Sequence, residues 1–196
     1  MIERIKGILF SPKTEWEKIK SEPIGIAQVL TGYLVPMALI PAIFGFFGYM
    51  LIGVNFGMFG MIRYPFTSAI VWAIVWFILT IVGLYVEGIV INALAPSFDS
   101  VPNPTNAFKL AVYSMTPYFV AGVLYIFPVL GVLVALISLY GLYLMYTGMP
   151  VMMLTPKEKV IGYIIVAIIV MFIINIIIGA IAGGILAATY HPIWRF

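Results

Sequence analysis

Ala111-Val-Tyr-Ser-Met-Thr-Pro117, Phe127-Pro128, Leu139-Tyr-Gly-Leu-Tyr143, Thr147-Gly-Met-Pro150 and Thr155-Pro-Lys-Glu158 punctuate one stretch, from Ala111 to Tyr163, whose reading decides the fold. An apolar helix is broken by Pro117, and a turn follows at Pro128. A second apolar helix then carries Tyr140, Tyr143 and Tyr146 and stops at Gly148-Met149-Pro150. The chain restarts at Thr155, which can cap. Pro156 suits a first helical position, and Glu158 can reach back in a Thr-x-x-Glu box. On both sides of this restart lie segments long enough to cross a bilayer.

Composition agrees with that reading. Of 196 residues, 64% are hydrophobic and only 9% charged, where a soluble globule carries about a quarter charged residues. Such a chain cannot cover a water-facing surface, so its solvent is mostly lipid. The fold class is an all-α membrane protein: a five-transmembrane-helix bundle with short N-terminal amphipathic surface helices. The spans are expected at about 26–52, 66–95, 105–127, 129–149 and 157–189. Residues 23–196 then form one membrane domain, preceded by an amphipathic cytoplasmic segment, 1–22. The third and fourth spans together hold about 45 residues, roughly 67 Å of helix, too long for one ~30 Å crossing.

The N-terminal segment lacks the continuous apolar core of a signal peptide, so no cleavage is expected. Ile2, Ile5, Ile8 and Leu9 fall near one side of a first short helix. After Ser11-Pro12, Trp16 and Ile19 share a side of a second helix. Helices lying on the membrane surface fit this pattern, as does a polar cap over the bundle. In the first span, Pro36 and Pro41 should kink the helix and free carbonyls that other groups must satisfy. With the N-terminus inside, the inner segments hold eight Lys and Arg residues and the outer segments only Arg63 and Arg195. The positive-inside rule therefore predicts a multi-pass cell-membrane protein, its N-terminus cytoplasmic and its C-terminus outside.

Glu87 is the most informative single residue. It lies on the order of 12 Å inside the end of the second span, where a carboxylate costs a few kcal/mol unless paired or neutral. Lys109 in the third span is its natural partner, and Tyr113 and Thr116 continue the Lys109 face. The alternatives are a protonatable or ion-coordinating site and a lipid-headgroup contact. Asn175, mid-way along the fifth span, calls for an interhelical hydrogen bond. Gly179-x-x-x-Gly183 permits close helix packing, within the bundle or in a homo-oligomer. His191 is the lone histidine and there is no cysteine, so a transition-metal site is not expected. No catalytic motif, paired carboxylates or phosphate loop is present, so neither an enzyme nor a cofactor is expected. The net charge of +3 sits at membrane edges and is no nucleic-acid footprint.

The motifs quoted at the outset, with Lys157-Glu158-Lys159 through Gly162-Tyr163 and an opening Ile8-Leu9-Phe10-Ser11-Pro12 with Trp16, resemble the Yip family. These are the Ypt/Rab-interacting multispan proteins and their prokaryotic relatives. The resemblance implies a five-helix bundle with a cytoplasmic N-terminus. Eukaryotic relatives bind small GTPases through a long cytosolic N-terminal region. This chain has about 22 residues there and no Asp-Leu-Tyr-Gly-Pro motif, so GTPase binding is not among its expected properties. A prokaryotic-type inner-membrane member is the expectation. Its role would be non-enzymatic, organising membrane partners or lipid. The alternative is a small transporter or channel with a polar route near Glu87.

Overall fold

In the second span, Ile74, Ile78, Val82 and Ile89 lie about half exposed along one side. Ile165, Ile169, Ile173, Ile176 and Ile177 do the same in the fifth. Side chains this apolar, at this regular exposure, face lipid rather than water. The computed structural model describes the backbone of residues 1–55 and 60–189. It describes their side chains except at 55, 171, 175, 178, 182 and 185–189. His191 and the tail with Trp194 and Arg195 lie outside the described residues.

Two short helices, α1 (Ile2–Phe10) and α2 (Pro12–Ser21), precede five apolar segments long enough to cross a membrane. Span 1 runs Ile26–Ile52, span 2 Phe66–Phe98, span 3 Pro104–Ile126 and span 4 Pro128–Met152; span 5 belongs to the helix Lys157–Thr189. Between spans 1 and 2 the backbone makes a two-residue antiparallel pairing, Val54–Asn55 against Met61–Ile62. Span 1 is α-helical from Val35 to Phe47, through Pro36 and Pro41, and is flanked by π-helical turns at Leu30–Leu34 and Gly48–Ile52. Span 3 is broken where expected, between Ser114 and Thr116, ahead of Pro117. Span 4 departs from expectation. Its helix continues through Pro150 to Met152 instead of stopping there, and it is interrupted earlier, at Leu139. The span 5 helix begins at Lys157, one residue after Pro156, and the Thr155 hydroxyl accepts from Ser100 Oγ at 2.9 Å, which ties the two loops together.

Span 3 is the most buried of the five and forms the axis of the bundle. Around it, Phe108, Leu110, Ala111, Val112 and Phe119 join Leu34 and Met37 of span 1, Leu84 and Ile91 of span 2, and Leu144 and Met149 of span 4 in one core. The hairpin of α1 and α2 belongs to that core as well. Ile8, Trp16 and Ile19 are fully buried, so the segment caps the bundle with its apolar side turned in. Trp16 donates its indole N–H to Leu144 O at 3.1 Å. Gly148 makes the space: a Cβ there would lie 2.6 Å from the Trp16 ring and 2.6 Å from Leu110 Cδ1. Gly141, two turns earlier on span 4, likewise admits Ser114 O of span 3, which would lie 2.6 Å from an added Cβ.

Trp16→Ala should cost about 3–5 kcal/mol by cavity formation. Gly148→Leu should lower stability as well, by expelling the indole. Thermal unfolding in detergent checks both, and an unchanged midpoint for both variants would mean the hairpin is not part of the folded core.

Candidate functional site

Proline decides how the hairpin is held. Pro23 has no N–H, so the carbonyl of Ile19, four residues back at the end of α2, loses the amide it would otherwise bind. Lys109 supplies the donor. Its Nζ reaches Ile19 O at 3.0 Å and Glu22 O at 2.9 Å, and the side chain is buried. An ammonium at a helix C-terminus also meets the negative end of the helix dipole.

The same device recurs on span 3. Pro117 leaves Tyr113 O without its amide, and Thr116 Oγ1 occupies that carbonyl at 2.6 Å while pairing with Tyr33 Oη at 2.8 Å. Pro156 denies an amide to Met152 O, which instead accepts Asn106 Nδ2 at 3.0 Å. At the end of the span 2 helix, Ala95 turns its N–H to Asn92 O, and Tyr163 Oη donates to the carbonyl of Ile91.

Above Lys109 lies a charged cluster that the sequence patterns did not reveal. Arg4 of α1 binds Glu15 Oε1 at 2.5 Å and also pairs with Glu22, and Lys18 reaches Glu15 Oε2 at 3.2 Å. The Arg4 guanidinium lies over the Tyr113 ring, 5.6 Å from its centroid. Burial works against the Arg4 charge, but the Glu22 hydrogen bond and the Glu22 and Glu15 carboxylates outweigh it and raise its pKa. Gly7 is what lets α2 close on α1, because a Cβ there would clash with the Glu15 carboxyl. These residues floor an open cleft of about 800 Å³ between the hairpin and the start of span 1.

The expected pair of Glu87 and Lys109 does not form. Glu87 is buried, only 4% exposed, yet its Oε1 has no hydrogen-bond partner, and no ion pair of Glu87 occurs among the described residues. The reason is rotation about the helix axes. Gly88 packs on Phe108, 3.0 Å from its Cα to an added Cβ. Span 2 therefore meets the Phe108 face of span 3, while Lys109, about 100° further round, turns to α2. Tyr113 and Thr116 do share the Lys109 face, and Tyr113 packs edge-on against Tyr33, with centroids 4.6 Å apart. Gly179 and Gly183 have no neighbour within 4 Å of an added Cβ, so their face packs against nothing described in this bundle. The Asn175 side chain lies outside the described residues. Gly7 and Gly148, each allowing a close approach, were the sequence signal that could have located the hairpin.

Compared with known proteins, residues 6–188 match the family model described as Yip1 domain. The Inner membrane protein YohC of Escherichia coli K12 is 29% identical over 161 residues, covering 81% of this chain and 83% of that protein. The protein of the same name from Escherichia coli O6:H1, strain CFT073, matches to the same extent. No solved structure matches.

Because the two ionisable groups do not touch, Glu87→Met and Lys109→Met should act independently. Lys109→Met should destabilise by about 1.5–3 kcal/mol per lost charged hydrogen bond, whereas Glu87→Met should stabilise by about 1–3 kcal/mol. In a double-mutant cycle read by unfolding in detergent, the sum should hold within about 0.5 kcal/mol. A coupling above 1 kcal/mol would mean the two side chains are partners.

Proposed function

The chain belongs to the Yip1 domain family, and from that premise we propose that it is a non-enzymatic inner-membrane protein that organises lipid or protein partners through its N-terminal hairpin. The observation that carries this reading is the open, charged cleft held between the docked hairpin and span 1. A cap that served only to close the bundle would need no such opening. The ion pairs beneath it, Arg4 with Glu15 and Glu22, fix its floor without catalytic geometry. Supporting the same reading is the orientation inferred from charge, with the hairpin cytoplasmic, where inner-leaflet headgroups and soluble partners are both in reach. Span 5 exposes Gly179 and Gly183, which leaves a homo-oligomeric contact as one form the organising role can take.

A second reading, a small transporter or channel, draws on one specific observation: a buried carboxyl in span 2 without a hydrogen-bond partner on Oε1. Buried acids and proline-broken spans are the parts from which transport routes are built.

Two measurements separate the readings. Isolation into nanodiscs under gentle conditions should yield reproducible lipid or protein partners, and Gly148→Leu, which undocks the hairpin, should lose them. Isolation free of any partner would contradict the organising role. In liposomes, proton, cation and anion flux should equal that of empty vesicles for wild type and for Glu87→Gln; flux that Glu87→Gln abolishes would establish the second reading instead.

A further inference from the structure

Polar atoms stand at membrane depth on one wall of the cleft. Gln28, Thr31 and Gly32 are exposed in the first two turns of span 1, and Gly32 lies about 9 Å along the helix from its start at Ile26. Both Gln28 and Gly32 line the cleft. The wall there is the π-helical turn Leu30–Leu34, and Pro36, just beyond it, offers no N–H to that turn. Gln28 Oε1 accepts from Gly25 N–H at 2.8 Å and Thr31 Oγ1 donates to Ala27 O at 2.9 Å, so the helix satisfies part of this polarity itself, while Gln28 stays exposed on the cleft wall. Gly32 also leaves open space: an added Cβ meets nothing within 4 Å. The cleft thus extends from the charged hairpin down into the headgroup layer along span 1.

Charges of both signs line it. Arg4, Lys6, Lys18 and the Met1 amino group stand against Glu3, Glu15 and Glu22. Glu15 is occupied on both oxygens, by Arg4 and Lys18. Glu22 uses Oε1 for Arg4 and is one-third exposed, so its second oxygen is free to accept from a ligand. Lys6 is exposed and lines the cleft, with no ion pair among the described residues. A cation for a phosphate and a carboxylate oxygen for a hydrogen-bonding ammonium therefore line one opening. A glycerol headgroup would bring Glu22 only neutral hydroxyls, weaker donors to a carboxylate than a primary ammonium, and a quaternary ammonium has no N–H to give it.

We propose that this cleft binds the headgroup of a zwitterionic aminophospholipid, its phosphate toward Lys6 and Arg4 and its primary ammonium on Glu22. The assignment rests on the organising role proposed above and names its lipid. A lipid, rather than a soluble phosphoethanolamine, is the source because the opening descends along span 1 to bilayer depth.

The test is lipid binding by native mass spectrometry of the delipidated full chain, offered equimolar phosphatidylethanolamine, phosphatidylcholine and phosphatidylglycerol of matched acyl chains. Wild type should retain phosphatidylethanolamine roughly tenfold over the other two, the worth of one hydrogen bond to a charged group. Glu22→Gln should bring the three toward parity. Gly32→Leu, whose side chain enters open space and leaves the hairpin contacts alone, should lower retention of phosphatidylethanolamine tenfold or more. Hydrogen exchange over α2 should be as slow in both variants as in wild type, which separates loss of the ligand from loss of the fold. Retention without headgroup preference, or a preference for phosphatidylglycerol, overturns the assignment and leaves the organising role standing. Equal competition by soluble glycerophosphoethanolamine overturns the lipid source. Retention of no lipid and no protein overturns both readings.

Discussion

A carbonyl that proline has stripped of its amide must find another donor where water is scarce, and this requirement shapes the molecule. Span 3 meets it three times. Lys109, Thr116 and Asn106 cover the carbonyls of Ile19, Tyr113 and Met152, which Pro23, Pro117 and Pro156 leave short. These bonds reach the hairpin, span 3 itself and the end of span 4. The most buried helix is thus also the one that carries polar donors, which explains how an axis packed in an apolar bundle can hold a fully amine-tipped side chain. A buried lysine with two backbone carbonyls and a helix C-terminus is compensated without a carboxylate of its own.

The hairpin follows from that arrangement. Trp16 gives it apolar anchorage in the notch at Gly148, and Lys109 fixes the C-terminal end of α2. What is then left between the hairpin and the start of span 1 is the charged cleft, with Arg4 holding Glu15 and Glu22 at its floor. Partly buried salt bridges of this kind add little net stability. Here they set the shape and the charge of the opening.

Much of the bundle was legible in the chain, since a bilayer imposes its thickness on any sequence that crosses it. Span 1 begins and ends where hydropathy and turn residues place it, and Pro117 breaks span 3 as a proline in mid-helix should. Pro150 misled, because its fixed φ is compatible with helix, and the helix passed through it to Met152. The Glu87 and Lys109 pair was misplaced for a different reason. Depth can be counted along a helix, but rotation about two separate axes cannot, and a 100° difference sent Lys109 to α2. The docking of Trp16 was hidden because amphipathic spacing alone serves a membrane surface and a protein surface equally. Only the glycine opposite it, at 148, distinguishes the two.

The most direct measurement is a solid-state NMR dipolar contact from the ¹⁵Nζ of Lys109, in protein reconstituted in bilayers, to carbon-13 placed at chosen sites. The account predicts contacts to the backbone carbonyl carbons of Ile19 and Glu22 and none to the Glu87 carboxyl. A contact to the Glu87 carboxyl, with none to α2, would contradict it.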